Sequence, residues 1–226
     1  MRRSLIVAFV SLVGLLAIAT VASADHAWST YHFPGDNLNP TVVDKTSSSL
    51  YDVTAGVQEW AALGTPIQPQ ITTAKKGDIT VTEAFNRSWL GLARIFIDGD
   101  HITKGEVKLN TKLLDDYPIA AAEHVLCQEI GHVLGLDHNR NGGQGGSPDD
   151  TCMNDQVNLF TTQYISPNSH DTDQLNATYN HADAPADDGG DTGGGGNCPP
   201  GNPNHPNCST SAASGHWITV HVFWAD

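Results

Sequence analysis

The chain has 226 residues, room for one domain with a proper core and an appendage, and too little for two full domains. Its formal net charge of -14 argues against binding nucleic acid or an anionic membrane, because both require a basic face that displaces counterions. Solubility is the plain reading of that charge.

The first segment reads as an export signal. Met1-Arg2-Arg3 gives a positive start, Leu5 to Ala19 is an uncharged apolar run, and Ala22-Ser23-Ala24 supplies small residues before a cut at Asp25. The run is too short to span a bilayer comfortably, so residues 1–24 are a signal peptide and the mature protein is secreted and free of the membrane. An oxidising compartment lets thiols pair. Four cysteines allow three pairings. Cys127 and Cys152 flank the suspected active segment, and Cys198 and Cys208 bracket a short Pro/Asn-rich stretch, so these two pairs are favoured.

A main domain is expected over residues 25–182. Its lead-in, Phe33-Pro34-Gly35-Asp36-Asn37, gives way to a stretch from about Val43 to Leu63 in which Val53, Val57, Trp60 and Ala61 recur at helical spacing, so one amphipathic helix fits there. Short β-rich runs follow at Ile79–Thr82, Leu92–Ile97 and Glu106–Asn110, with Asp98-Gly99-Asp100 and Lys104-Gly105 as turns. The Asp98 and Asp100 carboxylates are also the best local candidates for calcium. Asp115-Asp116 then offers N-cap chemistry and Pro118 suits a first helical turn, predicting a central helix over Ile119–Leu134 that ends at Gly135. A Gly/Asn/Pro-rich loop runs from Asn139 to Ser147. A further helix starts near Asn168 or Ser169, with Asn168 and Asp171 as a capping box and Leu175 and Tyr179 on its buried face. Residues 183–215 hold almost nothing apolar and read as a flexible linker. The last segment, 216–226, carries the strand-like run Trp217–Trp224, which either docks back onto the domain or serves as a sticky end.

The central helix carries the chemistry. Side chains four apart share a face, so Gln128 and His132 project together with Glu129 beside them. Gly135 lets the chain turn out of the helix and bring His138 back to the same point. Such a set suits zinc, with Gln128, His132 and His138 as ligands and Glu129 as the general base that activates water. His124 stands two turns from His132, about 12 Å along the axis, too far to share an ion, and is placed at the core edge or as a hydrogen-bonding neighbour. Asp137 is an alternative third ligand. His170, His181, His205, His216 and His221 show no partner spacing and default to surface or capping roles.

Gln128-Glu129-x-x-His132-x-x-Gly135-x-x-His138, followed by Thr151-Cys152-Met153, resembles the metzincin clan of metallopeptidases, and within it the matrixin-like bacterial enzymes, whose motif is H-E-x-x-H-x-x-G-x-x-H with a methionine turn. The resemblance spans roughly Ser29 to His181. It implies an α+β fold: a mixed twisted sheet, an N-terminal helix, an active-site helix, a Met-turn at Met153 and a C-terminal helix. It also implies a peptidase cleft above the helix with Met153 as its floor. The departure is Gln128, which stands where the family has its first ligand histidine. Either its amide oxygen coordinates, or the site is degenerate. The expected function is a secreted, monomeric, zinc-dependent endopeptidase acting on an extended polypeptide along a sheet edge near Leu92–Ile97. The alternative is a non-enzymatic binding protein on the same scaffold.

Overall fold

The computed structural model describes residues 26–140, 150–154, 165–181, 183 and 215–224. The expected signal segment 1–24, the expected Cys198 and Cys208 pair, His205, most of the Gly-rich loop and most of the expected linker lie outside these residues.

Val42 and Val43 are buried and β-branched, and they enter a strand, β1 (Thr41–Asp44), which pairs in parallel with β2 (Gln70–Ile71) and β3 (Ile79–Glu83). The helix expected over 43–63 is therefore shorter than the apolar pattern suggested. Helix α1 covers Val53–Ala62 only, opened by Asp52, whose side chain accepts the Ala55 N–H. Next come β4 (Trp89–Asp98) and β5 (His101–Leu109), antiparallel and joined by a turn at Asp98-Gly99-Asp100 in which Gly99 has φ 60°.

Lys104-Gly105 is not a turn. Gly105 lies inside β5 opposite Ile79 and Ile95, and a Cβ there would stand 3.0 Å from the Cβ of Val133, so the glycine is a point of close helix approach. Asp115 and Asp116 do not open the central helix either. They follow a short helix α2 (Thr111–Leu114), and Pro118 is the N-cap of α3 (Ile119–Val133). Helix α4 (Ser169–Tyr179) begins with the Asn168 and Asp171 capping box, both halves formed.

The six strands stand in the order β2-β1-β3-β5-β4-β6, where β6 is His216–Trp224. Nearly every residue of α3 is buried, because the sheet covers one side and α1 the other. Trp60 of α1 donates its indole N–H to the Cys127 carbonyl at 3.1 Å, tying the two helices together. Among the described residues no helix is long and apolar enough to cross a membrane.

The C-terminal segment docks onto its own domain. β6 runs antiparallel along β4, which is thereby flanked on both sides, and β6 becomes the sheet margin. Its register slips between Ala93 and Arg94: Ala93 faces His221 while Arg94 faces Thr219, leaving Val220 as an extra residue. Such a bulge re-aims side chains. Val220 joins the core at 3 % exposure, and its neighbour His221 also turns inward, toward α3.

Candidate metal centre

α3 delivers Gln128, Glu129 and His132 from a position where water is excluded: all three are at most 1 % exposed. The helix ends at Val133 with Leu134 as its C-cap, and Gly135 adopts φ 98°, a conformation that L side chains rarely adopt; a Cβ there would also come 2.5 Å from the Tyr31 carbonyl oxygen. The chain then doubles back and sets the His138 ring 4.9 Å from that of His132. The N-terminal segment braces this reversal from behind: Trp28 N–H donates to the Gly135 carbonyl at 2.7 Å, and Asp137 N–H donates to the His26 carbonyl at 2.6 Å.

The third imidazole comes from β6. His221 lies with its ring 4.2 Å from that of His132 and 4.5 Å from that of His138, and each of the three offers a nitrogen within 4.8 Å of the others. The sequence pattern left His221 among the surface histidines; the fold brings it to the centre. His124 is buried beside it, its ring 5.7 Å from Phe223 of β6.

The hydrogen bonds fix which nitrogens face inward. His132 Nδ1 lies 2.8 Å from the Leu136 carbonyl, which can only accept, so Nδ1 carries the hydrogen and Nε2 keeps its lone pair. Burial, and then His221 and His138, hold the His132 pKa well below the usual imidazole value, which keeps that lone pair available. His221 Nδ1 lies 2.9 Å from Glu129 Oε1; a carboxylate accepts, so Nδ1–H donates and Nε2 is left as the donor atom of that ring.

Gln128 donates its Nε2 to the Asn154 carbonyl at 3.0 Å. Its Oε1, together with Glu129 Oε2 and His132 Nε2, is buried with no hydrogen-bond partner. Unpartnered buried lone pairs cost free energy, and several of them on one helix face fit a cation better than they fit one another.

The layer beneath is tight. Cys127 and Cys152 form a disulfide with Cα atoms 6.0 Å apart, tying α3 to the Thr151–Asn154 turn. Met153 is fully buried there, accepts the Asn139 N–H at its carbonyl, 2.7 Å away, and packs its Sδ so closely on Gly131 that a Cβ at 131 would collide with it and with Trp60. On the sheet side, a Cβ at Gly91 would come 2.5 Å from Glu129 Oε1, so β4 passes directly by the carboxylate.

No known family model and no curated protein matches the chain. Among solved structures it is similar to myroilysin. One myroilysin structure aligns over 68 % of this chain and 97 % of its own at 15 % identity and a TM-score of 0.40. Another aligns over 55 % and 57 % at 17 % identity and 0.33.

Proposed function

We propose that the chain is a secreted zinc-dependent endopeptidase in which His132, His138 and His221 hold the metal and Glu129 is the general base. The observation that carries this reading is the convergence of the three imidazoles beside the buried Glu129 carboxylate. Three nitrogen ligands with one position left for a reacting group is the donor set of catalytic zinc. Zinc, when bound, supplies Lewis-acid polarisation of the scissile carbonyl and acidifies water. Glu129 takes the proton from the attacking water and returns it to the leaving amine. Gly91 keeps β4 close against Glu129, but β6 covers the outer side of β4, so Leu92–Ile97 is not the open sheet edge that the sequence suggested. The Cys127–Cys152 disulfide is in keeping with an exported protein.

In this reading His221 takes the role that a helical histidine at 128 would have, and Gln128 lies alongside. The expectation that Gln128 coordinates through Oε1 is a second form of the same centre, supported by that atom's burial without a partner. A non-enzymatic reading has one observation in its favour: β6 already occupies the outer side of β4, where an extended substrate would add.

The test is zinc content and cleavage of an unfolded protein by the full chain and by Glu129→Ala, His221→Ala and Gln128→Ala. Near-stoichiometric zinc in Glu129→Ala, with cleavage down by about 10²–10⁴ fold, is the expected result. His221→Ala should lose zinc, and Gln128→Ala should lose less. If His221→Ala keeps zinc and cleaves faster, β6 blocks the cleft and is no ligand. Zinc without cleavage in the unmutated chain sinks the enzyme and leaves the binding protein.

A further inference from the structure

We infer that a second metal ion is bound on the opposite side of the Gly135 reversal by His32 Nε2, His181 Nε2 and Asp183 Oδ1. His32 belongs to the N-terminal segment, bridged to the first residue of β5: its N–H donates to the Asp100 carbonyl at 3.1 Å, and its carbonyl accepts the Ile102 N–H at 2.6 Å. His181 and Asp183 follow the end of α4. These three parts of the chain, far apart in sequence, meet at one point.

The geometry is that of a ligand shell. His32 Nε2 is 3.0 Å from Asp183 Oδ1 and 3.2 Å from His181 Nε2, and His181 Nε2 is 3.5 Å from the same Oδ1. Donors at about 2.0–2.1 Å from zinc in a tetrahedron stand about 3.4 Å apart, so these separations are the edges of one tetrahedral face. The His32 and His181 rings are steeply inclined, at 75° with centroids 4.6 Å apart, so their nitrogens meet without the rings stacking.

Proton placement points the same way. His32 Nδ1 lies 2.7 Å from the Thr30 carbonyl, so Nδ1 carries a hydrogen and the neutral ring presents its lone pair at Nε2. That nitrogen, a carboxylate oxygen and a second imidazole nitrogen converge on one point, which a cation satisfies through all three at once. The other carboxylate oxygen, Oδ2, is held by the Gly35 N–H at 2.5 Å, with His101 Nε2 3.5 Å away, which orients Oδ1 inward. The group at His26, His170 and Asp171 differs: there the carboxylate already accepts from Asn168 N–H and the Thr151 hydroxyl as part of the α4 cap.

His32 is buried while His181 is half exposed, and a cavity of about 360 Å³ lined by Ser29, Thr30, Asp100 and Thr178 opens on both rings, leaving room for a water as fourth ligand. The ion's role is structural. Tyr179, on the last turn of α4, accepts the Phe33 N–H at 3.2 Å and donates to the Leu134 carbonyl at 2.7 Å, so pinning residues 181–183 to the N-terminal segment steadies the turn that carries His138.

The test counts zinc per chain after zinc loading and exhaustive dialysis, in the full chain and in Asp183→Asn, His181→Ala and His132→Ala, with circular dichroism confirming the fold. About two ions in the full chain and about one in each variant is the expected result. His181→Ala covers the case in which Asp183→Asn fails to fold, because its side chain is half exposed. A count that is the same in the full chain, Asp183→Asn and His181→Ala overturns this site. If the full chain holds a single ion that His132→Ala keeps and Asp183→Asn loses, this site stands and the centre at His132 falls. X-ray absorption of zinc-loaded His132→Ala should show nitrogen and oxygen neighbours with a two-histidine signature; a shell of oxygen alone overturns it.

Discussion

Gly131 shows how much of the centre depends on a missing side chain. Its hydrogen leaves space for Met153 Sδ and the Trp60 ring, and a methyl group there would have to push both aside. Both neighbours are fully buried, so neither can swing into solvent. Gly131→Ala gains helix propensity worth about 1 kcal/mol, yet overpacking of this kind costs about 1–3 kcal/mol, so the net change should be destabilising or near neutral. Comparing denaturant midpoints measures it; a clear rise in the midpoint would mean that the Met153 layer is loose. Glu83 marks a different residue-scale dependence. Its carboxylate accepts the N–H groups of Ser47 and Ser48, which hold its pKa below the ordinary glutamate value. A depressed folded pKa contributes stability at neutral pH that is lost as pH falls through that value. The stability gap between the chain and Glu83→Gln should therefore be present at pH 7 and shrink below about pH 4, followed by urea midpoints across that range.

Elements were legible where the information was local. The capping box at Asn168 and Asp171, the amphipathic spacing of Val57 and Trp60, and the glycine stop at Gly135 each act within a few residues, and each forms as the sequence implies. The errors lie where partners decide. Val42 and Val43 became a strand because Ile79 and Thr80 stand beside them, and Gly105 stayed in β5 because Val133 of α3 packs against it. The disulfide is a link between elements. Cys127 and Cys152, 25 residues apart, join α3 to the Met153 turn, and closing a loop of that size restricts the unfolded chain by about 3.5 kcal/mol in the entropic account. A Cys127→Ser/Cys152→Ser chain should be less stable by an amount of that order and unfold at a lower temperature, measured calorimetrically beside the oxidised protein. An unchanged transition would show that the Gly131 and Met153 packing alone holds the turn.

At the scale of the whole molecule, the histidine pattern divides cleanly. His132 and His138 were readable because a helix and one sharp turn set their spacing, whereas His221, His32 and His181 gain meaning only from the tertiary fold. For His221 the alternation of the Trp217–Trp224 run was misleading as well, since the bulge at Val220 puts two successive residues on the same side. A histidine set between two valines in a β-rich run was the one available signal. The sheet order explains the rest: β6 reaches the centre only by adding beside β4, and no local pattern announces which strand will accept a late arrival.

That arrangement also has a consequence in time. A polypeptide is made from its N-terminus, so His132 and His138 emerge, and α3 can fold, before β6 exists. Until the last strand pairs with β4, the group holds only two of its three imidazoles, and under the proposed function the nascent chain is not yet a peptidase. Under the proposed function, any product broken off ahead of His221 would be harmless to the cell that made it.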